Sequence, residues 1–122
     1  MLTLFVSLAA GLGAVTRYAV DVGVQRRLRS FFPVGTLVVN VTGSAVLGLL
    51  VGLALHHGMS SDWLAVTGAG FAGGYTTLST WAWESLALAE QGELLRTALN
   101  VVGSLLLGIA AAAAGLGVAL LP

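Results

Sequence analysis

The chain has 122 residues, 57% hydrophobic and 8% charged, with a formal net charge of zero and a mean hydropathy of +0.98. Soluble domains carry about a quarter charged residues, so this surface is ill suited to water, and the length allows one domain. Five arginines face five acids without a basic tract, which excludes nucleic acid as a partner, and the lack of cysteine excludes disulfides, thiolate catalysis and cysteine metal sites.

A helix needs about 20 mostly apolar residues to cross a bilayer. Four segments meet that need, and they predict an all-α, multi-pass membrane protein. The first covers residues 2–24 and opens directly into apolar residues, without the basic leader of a cleaved signal peptide. It contains Arg17, with Asp21 one turn later. One reading is an ion pair near a helix end with the arginine snorkelling outward. The other is a cation that concentrates anions at a pore mouth. Loop one, residues 25–33, carries Arg26, Arg27 and Arg29 and ends at Pro33. A proline there costs no hydrogen bond to the helix it introduces.

The second span covers 34–55 and holds Asn40, with Ser44, Gly48 and Gly52 at spacing four. Helices in lipid associate through close contact of small residues, so packing is the ordinary use of such a stripe. Loop two, 56–62, holds His56 and His57. Adjacent side chains point apart, so both read as interfacial residues, not metal ligands.

The third span, 63–86, carries Gly68, Gly70, Gly73 and Gly74, followed by Tyr75, Thr76, Thr77, Leu78, Ser79, Thr80 and Trp81. Paired glycines and four hydroxyls in five residues disfavour continuous helix. The expectation is a break between about Gly73 and Ser79, where freed carbonyls are able to coordinate a cation. The GxGxxG formed by Gly68, Gly70 and Gly73 follows no strand and is rejected as a dinucleotide fingerprint. Glu84 closes the span, while Glu90 and Glu93 read as a solvated face in loop three, 87–94. The fourth span, 95–121, begins beside Arg96 and holds Asn100 and Ser104.

The second and fourth spans repeat each other. NVTGSAVLG from Asn40 and NVVGSLLLG from Asn100 agree at six of nine positions. Each puts Asn, Ser and Gly on one face at i, i+4 and i+8. Polar groups inside a membrane are functional candidates, and repeats often meet around a transport site. No nucleophile–base constellation is present, so no enzyme is expected.

With these residues in view, the chain resembles the CrcB/Fluc family of fluoride channels along nearly its whole length. GLGAVTRY (11–18), PVGTLVVNVTG (33–43), GFAGGYTTLSTWAWE (70–84) and NVVGS (100–104) match that family's signatures in order and spacing. The resemblance implies an antiparallel, dual-topology dimer in the cell (plasma) membrane, facing lipid and passively exporting fluoride from the cytoplasm. It also implies a third helix broken at its centre and a structural sodium ion on the backbone carbonyls of Gly73 and Thr76. Asn40 would line the pore, and Ser79, Thr80 and Ser104 would follow the anion's track, with Arg17 at the vestibule. The family's usual TTFSTF becomes TTLSTW here. Leu78 therefore offers no ring edge at the first aromatic station, and Trp81 adds an indole N–H at the second.

Loop one and Arg96 place four arginines at one end of the bundle, and the other end has no Lys or Arg. The positive-inside rule then puts both termini outside. The partner is accordingly either a second copy or an oppositely oriented paralogue, the latter with this subunit's own pore reduced. The alternative from another class is a proton-coupled small-multidrug-type transporter. It needs an acid at mid-membrane in the first span, and only Asp21, beside Arg17, is available.

Overall fold

Residues 1–121 are described by a computed structural model. Every regular element among them is helical. The first helix, α1, spans Leu2–Leu28 and runs four residues past its expected end. Arg26 and Arg27 occupy its last turn, where cations meet the negative end of the helix dipole. Their long stems let the charge reach water while the backbone stays helical. The second helix, α2, spans Val34–His56 and starts directly after Pro33.

The third segment comprises two helices, end to end. The first, α3, covers 61–75: it is α-helical over Ser61–Leu64, widens to π-helix over Ala65–Ala72, and tightens again over Gly73–Tyr75. Thr76 is extended, with φ −77° and ψ 160°. The second, α4, runs over Ser79–Glu90. The last helix, α5, covers Leu94–Ala119, with a π-helical stretch at Leu99–Gly103. It ends two residues short of the expected boundary, where Leu121 precedes a proline and is biased away from helix. Neither π-helical stretch has a signal in the apolar pattern, because one extra residue per turn leaves composition unchanged.

Three helices, α1, α2 and α5, are long and apolar enough to cross a membrane unbroken. Burial is inverted relative to a water-soluble core. Leu4, Leu8, Leu12 and Val15 on α1 are all more than half exposed, whereas Thr36, Thr77, Ser85 and Asn100 are buried. Lipid tails solvate leucine as well as a protein core does, so the interior is left to small and mutually bonded polar side chains.

The most extensive helix pairing is α2 with α5, followed by α1 with α3. Glycine sets both separations. A Cβ on Gly48 would collide with the Ala112 carbonyl, one on Gly115 with that of Ala45, and one on Gly74 with that of Ala10. The small-residue stripe of α2 is thus a backbone-to-backbone contact with α5, and it holds Asn40 at a fixed height beside the gap between α3 and α4.

Candidate functional site

Thr77 is the hub. Its N–H donates to Asn40 Oδ1 at 2.8 Å, and Asn40 Nδ2 donates to the Thr77 carbonyl at 2.8 Å. This reciprocal pair settles which end of the amide is nitrogen. It also replaces the bond that the Thr77 N–H would make to the Gly73 carbonyl in a continuous helix. The Thr77 hydroxyl accepts from the Thr80 N–H at 3.3 Å, starting α4 as a cap, and donates to Thr80 Oγ1 at 3.1 Å. Ser79 Oγ lies 3.5 Å from the same hydroxyl. The Asn40 amide carries two N–H donors, and the Thr77 carbonyl takes one of them.

Two openings meet at this hub. On one side is a groove of about 820 Å³ between α2, α3, α4 and α5, lined by Asn40, Gly73, Thr76, Leu78, Trp81 and Ser104 among others. Leu78 projects there, 75% exposed. On the other side is a polar pocket of about 190 Å³, lined by Arg17, Asp21, Thr36 and Thr80 together with Tyr18, Ala14 and Val39. Thr77 lines both. Arg17 extends its Nη1 to within 3.5 Å of the Thr76 carbonyl. The ion pair with Asp21 anticipated as one reading is not formed: among the described residues the single ion pair is Arg96 with Glu93.

Trp81 points its ring toward the groove, but its indole N–H donates to the Asn100 carbonyl at 3.0 Å. The Asn100 amide donates to Ser85 Oγ at 3.0 Å and accepts from Ser104 Oγ at 3.4 Å, and Ser85 donates to the Trp81 carbonyl at 2.8 Å. Asn100 is 1% exposed. The two repeated asparagines therefore do different work: Asn40 braces the α3–α4 gap, and Asn100 ties α4 to α5.

A profile described as "CrcB-like protein, Camphor Resistance (CrcB)" matches residues 4–116, nearly the full chain. The chain belongs to the CrcB family. It is 46% identical over 116 residues to "Fluoride-specific ion channel FluC 1" of Leifsonia xyli subsp. xyli, covering 95% of this chain and 85% of the relative. It is 47% identical over 110 residues to "Fluoride-specific ion channel FluC 2" of Mycobacterium tuberculosis, covering 90% and 84%. With "Fluoride-specific ion channel FluC" of Methylobacterium nodulans it shares 41% identity over 117 residues, covering 95% and 94%. These relatives are named as ion channels, not as enzymes. Apolar helices and family together make the chain a multi-pass membrane protein.

In this CrcB-family chain the nine residues singled out from the sequence fall around the α3–α4 gap, but not in one cavity. Six line the groove, Arg17 and Thr80 line the pocket, and Ser79 touches the hub while lining neither. Sequence reasoning gave Thr36 no role and placed Glu84 only at the end of the third span. Thr36 Oγ1 donates to Glu84 Oε1 at 2.8 Å, while Glu84 Oε2 is buried without a protein partner. The signal was available: Thr36 stands one turn before Asn40 on the polar face already traced through Ser44.

Proposed function

We propose that this chain is a subunit of a fluoride channel that exports fluoride from the cytoplasm passively. The observation that carries the reading is the reciprocal Asn40–Thr77 clasp between the groove and the arginine-lined pocket. Fluoride is small and tightly hydrated, so a path for it must offer neutral N–H and O–H donors in place of water. The remaining Asn40 N–H and the hydroxyls of Ser79 and Thr80 would supply such donors, and Ser104 would join them on releasing the bond that its hydroxyl donates to Asn100 Oδ1. Neutral donors also bind weakly enough to release the ion, as conduction requires. Arg17 beside the small pocket draws anions to its mouth. The relatives' names support the choice of ion. The multidrug-transporter reading loses its basis, since the family is CrcB and Asp21 lines the pocket beside Arg17.

The groove is open along one side, and a second, antiparallel chain laid against the α3–α4 gap would close it. There the freed Gly73 carbonyl and the Thr76 carbonyl would hold a sodium ion, with the partner supplying matching oxygens. Backbone oxygens suit a hard alkali cation. The residues fit in kind: Thr77 N–H has turned away from Gly73, and the Thr76 carbonyl has a second lone pair besides the one near Arg17. Bound there, sodium would supply a positive charge joining two helix breaks. Alternatively the partner is an inverted paralogue, a reading favoured by the one-sided arginines and by Leu78 at an aromatic station.

Efflux from liposomes tests the proposal. Purified protein should release fluoride far faster than chloride, and the fluoride rate should fall when sodium is replaced by a large organic cation. Equal fluoride and chloride rates would sink the channel assignment, and indifference to sodium would remove the ion.

A further inference from the structure

The end of the bundle formed by loop one and the start of α5 takes no part in the site above. Arg26, Arg27 and Arg29 are exposed there, and among the described residues none of them forms an ion pair. Arg29 has φ 47° and is the one non-glycine residue with positive φ among those described. That conformation suits glycine better than a residue with a Cβ, and here it closes the C-terminus of α1, so the helix end fixes where the Arg29 side chain leaves the backbone.

The surrounding loop is firmly built. Gln25 donates from Nε2 to the Ser30 carbonyl at 2.6 Å and the Phe32 carbonyl at 3.2 Å, and its Oε1 accepts from the Gly35 N–H at 3.2 Å. Arg29 N–H closes onto the Gln25 carbonyl at 3.0 Å. Across the loop, the Arg96 guanidinium lies 4.9 Å from the centre of the Phe31 ring, so a fourth cation stands at this end. Leu28 and Phe31 are each more than half exposed between the arginines.

We propose that Arg26, Arg27 and Arg29 form a binding site for the phosphate headgroup of an anionic phospholipid, with Leu28 and Phe31 entering the acyl boundary beneath it. Guanidinium forks match phosphate oxygens, and unpaired arginines in the last turn and at the C-cap of a membrane helix are placed at headgroup depth. Charge complementarity selects an anionic lipid over a zwitterionic one. The interleaved apolar side chains select a lipid over free phosphate, which has nothing to offer Leu28 and Phe31.

The test is thermal unfolding of the detergent-solubilised full chain with phosphatidylglycerol, phosphatidylcholine or soluble glycerol phosphate added. Phosphatidylglycerol should raise Tm by about 4 °C more than phosphatidylcholine, and glycerol phosphate should have no effect. The triple variant R26Q/R27Q/R29Q should lose most of that difference. Arg29→Gly, which suits the positive φ and so retains the fold, should raise the baseline Tm while narrowing the difference between the lipids. Equal shifts from the two lipids in the parent protein would overturn the proposal, as would an undiminished difference in either variant. A glycerol phosphate shift matching that of phosphatidylglycerol would also overturn it, in favour of a free-phosphate site. Fluoride flux is not read, so the proposal stands or falls independently of the channel assignment.

Discussion

Asn40 is engaged at both ends of its amide, and that decides what a carboxylate would do in its place. In Asn40→Asp one oxygen still accepts from the Thr77 N–H, but the other faces the Thr77 carbonyl, acceptor against acceptor. An anion also meets like charge in a low-dielectric surrounding. Leaving a charged group so placed costs about 3 kcal/mol, or roughly a hundredfold in rate. Fluoride-electrode recordings on liposomes should therefore show efflux reduced by about that factor. Near-normal efflux from the folded variant would take Asn40 off the path. Trp81 gives the opposite expectation. Its N–H is held by the Asn100 carbonyl, so Trp81→Phe should lower stability by about 1 kcal/mol while keeping a ring in the groove and fluoride efflux within about twofold, a change of roughly 0.4 kcal/mol. A folded variant that keeps its Tm but loses most of its flux would instead identify the indole N–H as a donor to the ion.

At the scale of helices, the distance between α2 and α5 positions everything on α2, including Asn40. Gly48 and Gly115 sit where an added methyl meets a carbonyl of the opposing backbone, whereas Gly117 has open space around its Cβ position. Gly48→Ala and Gly115→Ala should each cost about 1–3 kcal/mol, as overpacking does. Gly117→Ala should be neutral or slightly stabilising, because alanine favours helix. Thermal unfolding in detergent would order the three variants, and equal loss at all three positions would mean that helix separation is not what glycine secures. The α3–α4 gap belongs to this scale as well. It opens where the Thr77 N–H finds Asn40, and α4 restarts where the Thr77 hydroxyl finds the Thr80 N–H.

For the whole molecule, orientation decides which partner the proposed antiparallel dimer would take. The Arg96–Phe31 contact joins loop one to the start of α5, so Arg26, Arg27, Arg29 and Arg96 all lie at one end. The far end is closed by His57, whose Nε2 lies 2.6 Å from the Ala119 carbonyl at the last turn of α5. The histidine thus serves as an interfacial cap. Four arginines against none should direct both termini outward, and an antiparallel dimer would then need an inverted second chain. Single cysteines placed in loops one and two, labelled with a membrane-impermeant thiol reagent in intact cells, should react in loop two and not in loop one. Comparable labelling of both loops would mean dual insertion, and the homodimer would stand.

Length, hydropathy and the lack of charge were enough to read the membrane class and the three unbroken apolar helices, because transfer into lipid is a property of composition within about 20 residues. The glycine pair and hydroxyl run pointed to the region around Thr76 for a similar local reason, and the four signatures indicated the family. Only the tertiary structure decided which polar atoms are satisfied by the protein and which are left without a protein partner. Asn40 and Asn100 stand in nearly identical nine-residue stretches, yet one clasps Thr77 beside an open groove and the other is sealed between Ser85, Ser104 and Trp81. Thr36 and Glu84 carry no local mark of meeting, being 48 positions apart. Helical period and composition are fixed by neighbours along the chain. A hydrogen-bond donor's availability is fixed by neighbours across it, and those are known only once the glycine contacts have set how closely the helices approach.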